Sequence, residues 1–260
     1  MTAVLETLEE CLAQLDYYIV ALERKIPKPF EIIDNEKVRG FRYGKPGIVH
    51  YTVINLANSS ATLKSTLILS RLGFNSQAAI LMRFIMEANS KLSYVLSGLN
   101  GSELDRKSES FLNDYFSDNV RDGPARRPYK AIPQKDIHRR NSEKISRDLE
   151  HLRNFGINST VKNDENQYAK LLSSLYSNFS NHVHGRYPEM MDIFGEFSRE
   201  LKLSGNTESK DVDASIEFEF LHEIALSTTK NLKLALVLFE AASLISMTAD
   251  EKNFALKGIL

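Results

Sequence analysis

The sequence predicts an all-α protein: a multi-helix bundle built around a central antiparallel αα-hairpin, with a small irregular or hairpin excursion near residues 30–50. Three observations carry this expectation. Apolar residues recur at three- and four-residue steps through most of the 260 positions, the spacing of helices that each bury one face. Only Phe74 separates Gly73, a helix stop, from Asn75 and Ser76, either of which caps a helix, so the segments on both sides fold back tightly on each other. Residues 77–97 are apolar almost all round, with Ala79, Ile80, Leu81, Met82, Phe84, Ile85 and Met86 in succession around Arg83, and such a helix belongs in the middle of a bundle. With 42% hydrophobic and 26% charged residues, a chain of this length buries a substantial core as a single mainly helical domain, 1–260.

From the N-terminus, Leu5, Leu8, Leu12, Leu15, Ile19, Leu22 and Ile26 alternate steps of three and four. That seam suits one neighbouring helix, in this subunit or another, which makes residues 1–26 a candidate oligomerisation arm and the protein a candidate homodimer. Pro27 and Pro29 end the helix. Across 30–50 the helical period vanishes and Gly40, Gly44, Pro46 and Gly47 punctuate the chain, as a flap or small hairpin requires. There Arg39, Arg42 and Lys45 alternate with Phe41 and Tyr43, a pattern that fits either a plain surface or a phosphate or nucleotide contact. Helical spacing resumes with Ile54, Ala57, Ala61, Ser65, Ile68 and Leu72 and stops at Gly73, and the second arm of the hairpin follows.

A weaker helical pattern covers 103–119, after which Pro124, Pro128 and Pro133 force a basic loop over 121–135. A helix is expected over 135–155, closing at Gly156. Over 168–185, Tyr168, Leu171, Leu172, Leu175, Tyr176, Phe179, His182 and Val183 trace a helix that buries one face and stops at Gly185. A shorter helical piece, a polar loop over 204–213 and a long final helix over 214–247 complete the chain. The apolar run 232–247 is shorter than the ~20 residues of a membrane span and contains Lys233 and Glu240, so it reads as a buried helix and no membrane partner is expected.

The formal net charge of -1 argues against a wholly basic nucleic-acid coat. Charge is nevertheless uneven: nine Lys or Arg face three acidic residues across 121–147, and Arg126, Arg127, Lys130, Arg139 and Arg140 are candidate ligand-binding residues. Cys11 is the single cysteine, so no intramolecular disulfide and no cysteine zinc cluster forms. The first residues carry Glu6, Glu9 and Glu10 and lack the pattern of a secretory signal. A cytoplasmic location is the expectation.

Two polar lines stand out. On residues 77–97, Arg83, Glu87, Ser90 and Tyr94 share one narrow sector of an otherwise apolar helix. A charge on such a helix needs a partner, so Arg83 and Glu87 are expected to pair. On residues 168–185, Tyr176, Ser180 and His184 stack at steps of four and are the natural partners of the first line. The two lines read either as a hydrogen-bonded network that fixes helix register or as the floor of a pocket, with His184 as general acid or base, Glu87 orienting it and Arg83 holding an anion. No metal is expected: Glu219 and His222 form one Glu-x-x-His pair where a carboxylate-bridged di-iron bundle needs two. The chain has no Walker loop, dinucleotide glycine fingerprint, His-Glu-x-x-His helix or Gly-x-Ser-x-Gly elbow, and no cofactor is called for.

The stretch RLGFNSQAAILMRFIMEANSKLSYVL, followed about eighty residues later by LYSNFSNHVHG, resembles a group of uncharacterised bacterial helical proteins known as a domain of unknown function. Their motifs are an Arg-x-x-x-Glu on one helix and a Ser- or Tyr-led His-Gly on another. The resemblance covers roughly residues 71–188 and falls on Arg83, Glu87, Ser180 and His184. More remotely the arrangement is similar to the HEPN bundles of toxin and antiphage systems, many of them metal-independent, dimeric ribonucleases. Those enzymes place an Arg ahead of the histidine at positions that Ser177, Asn178 and Phe179 occupy here. The leading expectation is a binding module for an anionic ligand, nucleotide or RNA, with the resemblance implying a role in bacterial stress or phage defence. The alternatives are a phosphodiester hydrolase using His184 and a structural protein with a satisfied polar network.

Overall fold

The computed structural model describes residues 2–34, 37–116, 202 and 213–257. They are mostly helical and include two small two-stranded sheets. In chain order the elements are α1 (Thr2–Glu23), strands β1 (Phe30–Asp34) and β2 (Lys37–Arg42), α2 (Ile48–Arg71), α3 (Asn75–Leu96), strands β3 (Leu99–Asn100) and β4 (Glu103–Leu104), α4 (Arg106–Phe116), α5 (Asp213–Ala241) and α6 (Ala249–Leu256).

The three-four spacing of α1 has its cause inside the subunit. Leu8, Leu12, Leu15, Ile19 and Leu22 are buried, and the helix packs against α5 and α2. Salt bridges from Lys64 to Asp16 and from Arg71 to Glu9, together with a 2.6 Å hydrogen bond from Ser60 Oγ to Asp16, run α1 antiparallel to α2. Of the two partners the spacing allowed, in this subunit or another, the chain's own helices α2 and α5 pack on the seam.

β1 and β2 pair antiparallel, with a register shift between Ile32 and Ile33. Phe30, Ile33 and Phe41 are all more than half exposed on these strands. α2 begins at Ile48, ahead of the apolar pattern that announced it, because Gly47 donates its backbone N–H to His50 Nδ1 at 3.2 Å and so closes the first turn. Its other end is a Schellman turn: Gly73, at φ +77°, donates to Ser70 O and Phe74 donates to Leu69 O at 2.9 Å. α3 follows at once and packs along α2. Phe74 stands at its N-cap without a side-chain cap, so neither Asn75 nor Ser76 plays that part.

The expectation that α3 is enclosed on every side also needs correction. Ile80 and Phe84 are 41% and 46% exposed. Among the described elements it is α5 that touches the most others, packing on α1, α2, α3 and α6, with Leu221, Ala225, Leu232, Ala235, Leu236 and Phe239 fully buried. A polar seam crosses this core: Asn89 of α3 donates to Thr228 Oγ1 at 2.9 Å, Thr228 donates to Ile224 O, and Asn231 donates to Asn89 O at 3.1 Å. All three side chains belong to buried residues.

α5 stops at Ala241, short of the expected 247, because Ser243 adopts φ 57° and Leu244 donates to Phe239 O at 2.8 Å. A helix not anticipated from the sequence then follows. α6 opens with a capping box in which Glu251 N–H donates to Thr248 Oγ1 and Thr248 N–H donates to Glu251 Oε2 at 2.7 Å. No helix among the described residues is long and apolar enough to cross a membrane.

Candidate functional site

Of the polar line on α3, Arg83 Nε donates to Glu87 Oε1 at 3.1 Å, one helical turn apart. The two side chains are 16% and 30% exposed, so the pair is half-buried, and neither group is limited to this one interaction. Tyr94 is buried and Ser90 half-buried on the same helix. The second line, Tyr176, Ser180 and His184, lies outside the described residues, as do Arg126, Arg127, Lys130, Arg139 and Arg140. Arg83 and Glu87 are therefore the members of the expected constellation that are brought together among the described residues.

A second location has the shape of a site. A cleft of about 680 Å³ opens where the end of α1, the start of α2, the β3–β4 turn and the segment after α5 converge. Pro27 and the residues before it turn the chain at the foot of the hairpin, and Lys25 and Lys45 bring two cations to the rim. Glu103 and Glu109 bring two carboxylates. Glu109 sits in the first turn of α4, a helix started by Asp105, whose carboxylate accepts the Ser108 N–H at 2.8 Å.

His50 stands inside this cleft. Its Nδ1 accepts the Gly47 N–H, which leaves Nε2 as the protonated nitrogen of a neutral ring. Burial holds its pKa below the ordinary histidine value, so the ring stays neutral at pH 7 and offers a donor. Tyr43 meets the ring edge-on at 4.6 Å. Its hydroxyl is pushed above the ordinary tyrosine pKa, first by burial and then by the Glu23 carboxylate. The aromatic pair joins the cleft to β2, which ends one residue earlier with Arg42 and, before it, the exposed Phe41.

Lys25 serves two neighbours at once. Its ammonium lies 3.0 Å from Glu251 Oε2 and donates to Ser246 O at 2.8 Å, so a cation of the cleft also holds the C-terminal helix. Glu251 is kept ionised below the ordinary carboxylate range: burial works against its charge, but the Thr248 N–H and Lys25 outweigh that cost.

Sequence reasoning reached one edge of this cleft, Lys45 and Tyr43, and missed the rest because those residues fall at element ends, where no periodicity marks them. His50 three residues after Gly47, and Thr248 three residues before Glu251, are the capping signals that point to it. For metal ions, no group of three or more His, Cys, Asp or Glu side chains among the described residues is placed to hold one; Glu219 is exposed on α5 and His222 half-buried, with its Nε2 buried and without a hydrogen-bond partner. No family model, curated protein or solved structure matches the chain.

Proposed function

We propose that the protein is a binding module for an anionic, nucleotide-like ligand, and that the cleft at His50 takes it. The observation that supports this reading most is that a neutral imidazole donor, His50, and the Lys45 ammonium line a cleft of about 680 Å³, the size of small-molecule sites, with the Tyr43 ring packed on His50 at 4.6 Å. Phosphate oxygens suit the ammonium and imidazole donors. Residues 25–45 hold six Lys or Arg against three acidic residues, a local positive excess in the sequence that favours anions.

Glu103 and Glu109 narrow the class. Two carboxylates on the wall repel a second phosphate but accept well from a base edge that bears N–H donors, as guanine does. A mononucleotide therefore fits better than a polyanion. The exposed Phe41 and Arg42 add a stacking surface beside the cleft. The wider reading, in which Arg83, Glu87, His184 and the segment 121–147 join in recognising RNA, belongs to the same proposal, as does a role in bacterial stress or defence. The hydrolase alternative depends on His184 and is tested by His184→Ala in a cleavage assay.

Calorimetric titration with GMP, with and without added salt, tests the reading. Binding is expected at low salt, weaker at high salt, and reduced about tenfold by Lys45→Ala, the loss of one charge-assisted contact. The His50 ring resonances should shift on addition of GMP, and their titration midpoint should rise as a phosphate approaches. If neither GMP nor a short single-stranded RNA binds at low salt, the reading falls; if RNA binds and GMP does not, the cleft is not the principal site.

A further inference from the structure

Lys25 is shared between the cleft and the C-terminal helix, and that sharing carries a consequence for regulation. On one side Lys25 lines the cleft together with Leu244 of the segment that follows α5. On the other its ammonium holds Glu251 at 3.0 Å and Ser246 O at 2.8 Å. The Glu251 side chain is only 5% exposed, so little water is available to replace the cation. An anion drawn onto Lys25 from the cleft would place two negative groups on one ammonium, and in a partly dry setting such groups repel strongly.

We propose that residues 242–256 form a latch on the cleft: an anionic ligand competes with Glu251 for Lys25, so that ligand binding undocks α6, and docked α6 weakens ligand binding in return. This rests on the cleft being the nucleotide site. The rest of the latch is built for a local, all-or-none release. α6 has eight residues, too few to persist as a helix without its docking contacts. Its docking rests on Phe254 and Ala255, buried in the core, and on a cluster of specific contacts: Tyr18 stacks on Phe254 at 3.6 Å and donates its hydroxyl to Asp250 at 3.2 Å, Lys233 stands 4.9 Å over the Phe254 ring, and Lys252 pairs with Glu240 at 2.9 Å. Release would bare the Tyr18 and Phe254 rings, both buried when α6 is docked, and so turn occupancy of the cleft into a new apolar surface.

Linkage makes this testable on the full chain, because if the ligand favours undocked α6, a change that loosens α6 tightens the ligand in turn. Hydrogen exchange across 245–256 should speed up severalfold in the wild type when GMP is added, while exchange in α5 stays as it was. Glu251→Gln should speed exchange without ligand and bind GMP severalfold more tightly. Tyr18→Phe is the deciding variant, because it removes the hydrogen bond to Asp250 without touching Lys25 or changing the charge. It too should tighten GMP if α6 docking and binding are coupled. If Glu251→Gln tightens GMP but Tyr18→Phe does not, and α6 exchange ignores GMP, Glu251 merely repels the ligand and the latch is overturned. If GMP binds the wild type and neither variant differs from it, the latch is overturned while the nucleotide site stands. If GMP binds none of the three, the nucleotide reading of the cleft itself fails and the latch with it.

Discussion

Glu87 shows what a single charge is worth on α3. Its carboxylate holds Arg83 at 3.1 Å with both side chains partly shielded, between the exposed pairs that contribute under about 1 kcal/mol and the buried ones whose rupture costs about 3–5. Glu87→Ala is therefore expected to cost about 1–2 kcal/mol in urea denaturation, and Glu87→Gln, which keeps an acceptor, about half as much. The pairing was legible because an Arg and a Glu one turn apart on an apolar helix have few other choices. The degree of burial was not, since it depends on what covers Ile80 and Phe84. Titrating groups add a pH dependence of definite sign. His50 and Glu251 both have folded pKa values below their ordinary ones, so each contributes stability that is present above its unfolded pKa and lost as pH falls through the folded value. Stability measured by urea titration should accordingly fall in two stages on acidification, the first below about pH 6.5 for His50 and the second below about pH 4.3 for Glu251. His50→Gln should abolish the first stage and leave the second.

At the scale of elements, helix ends decide the architecture. Gly73 announced the end of α2 in the sequence because a left-handed residue is needed there and glycine adopts it freely. The end of α5 carries the same turn with a serine, Ser243 at φ 57°, and the missing glycine is why the sequence reads as one helix through to 247. Ser243→Gly should relieve this strain and raise stability by about 0.5–1 kcal/mol, seen as a higher melting temperature. Helix pairs are registered by the polar seam between α3 and α5. Thr228→Val keeps the shape but takes the acceptor from Asn89 Nδ2, leaving a buried donor unpaired at a cost of about 1–3 kcal/mol in chemical denaturation. Neither Asn89 nor Thr228 stood out in the sequence, because one polar residue in each of two distant helices carries no spacing signal until the helices are packed.

For the whole molecule, the predominance of helix was legible, and the choice of hub was not. Apolar count put α3 in the middle, whereas among the described elements α5 reaches more neighbours, packing on the N-terminal helix and on the α2–α3 pair. The role of α1 follows from that placement. Deleting residues 2–26 should strip the cover from α5 and remove the cooperative thermal transition followed by circular dichroism, where an oligomerisation arm would leave a folded monomer. The packing of α1 on α5 also has a bearing on how the chain is made. During synthesis α1 must wait for a partner that starts at Asp213, and at about 5–20 residues per second that wait lasts roughly ten to forty seconds. During it, among the described elements, α2 is the partner of the leucine face of α1 already made, so part of that face waits for α5 through an interval in which a chaperone or a neighbouring nascent chain can reach it first.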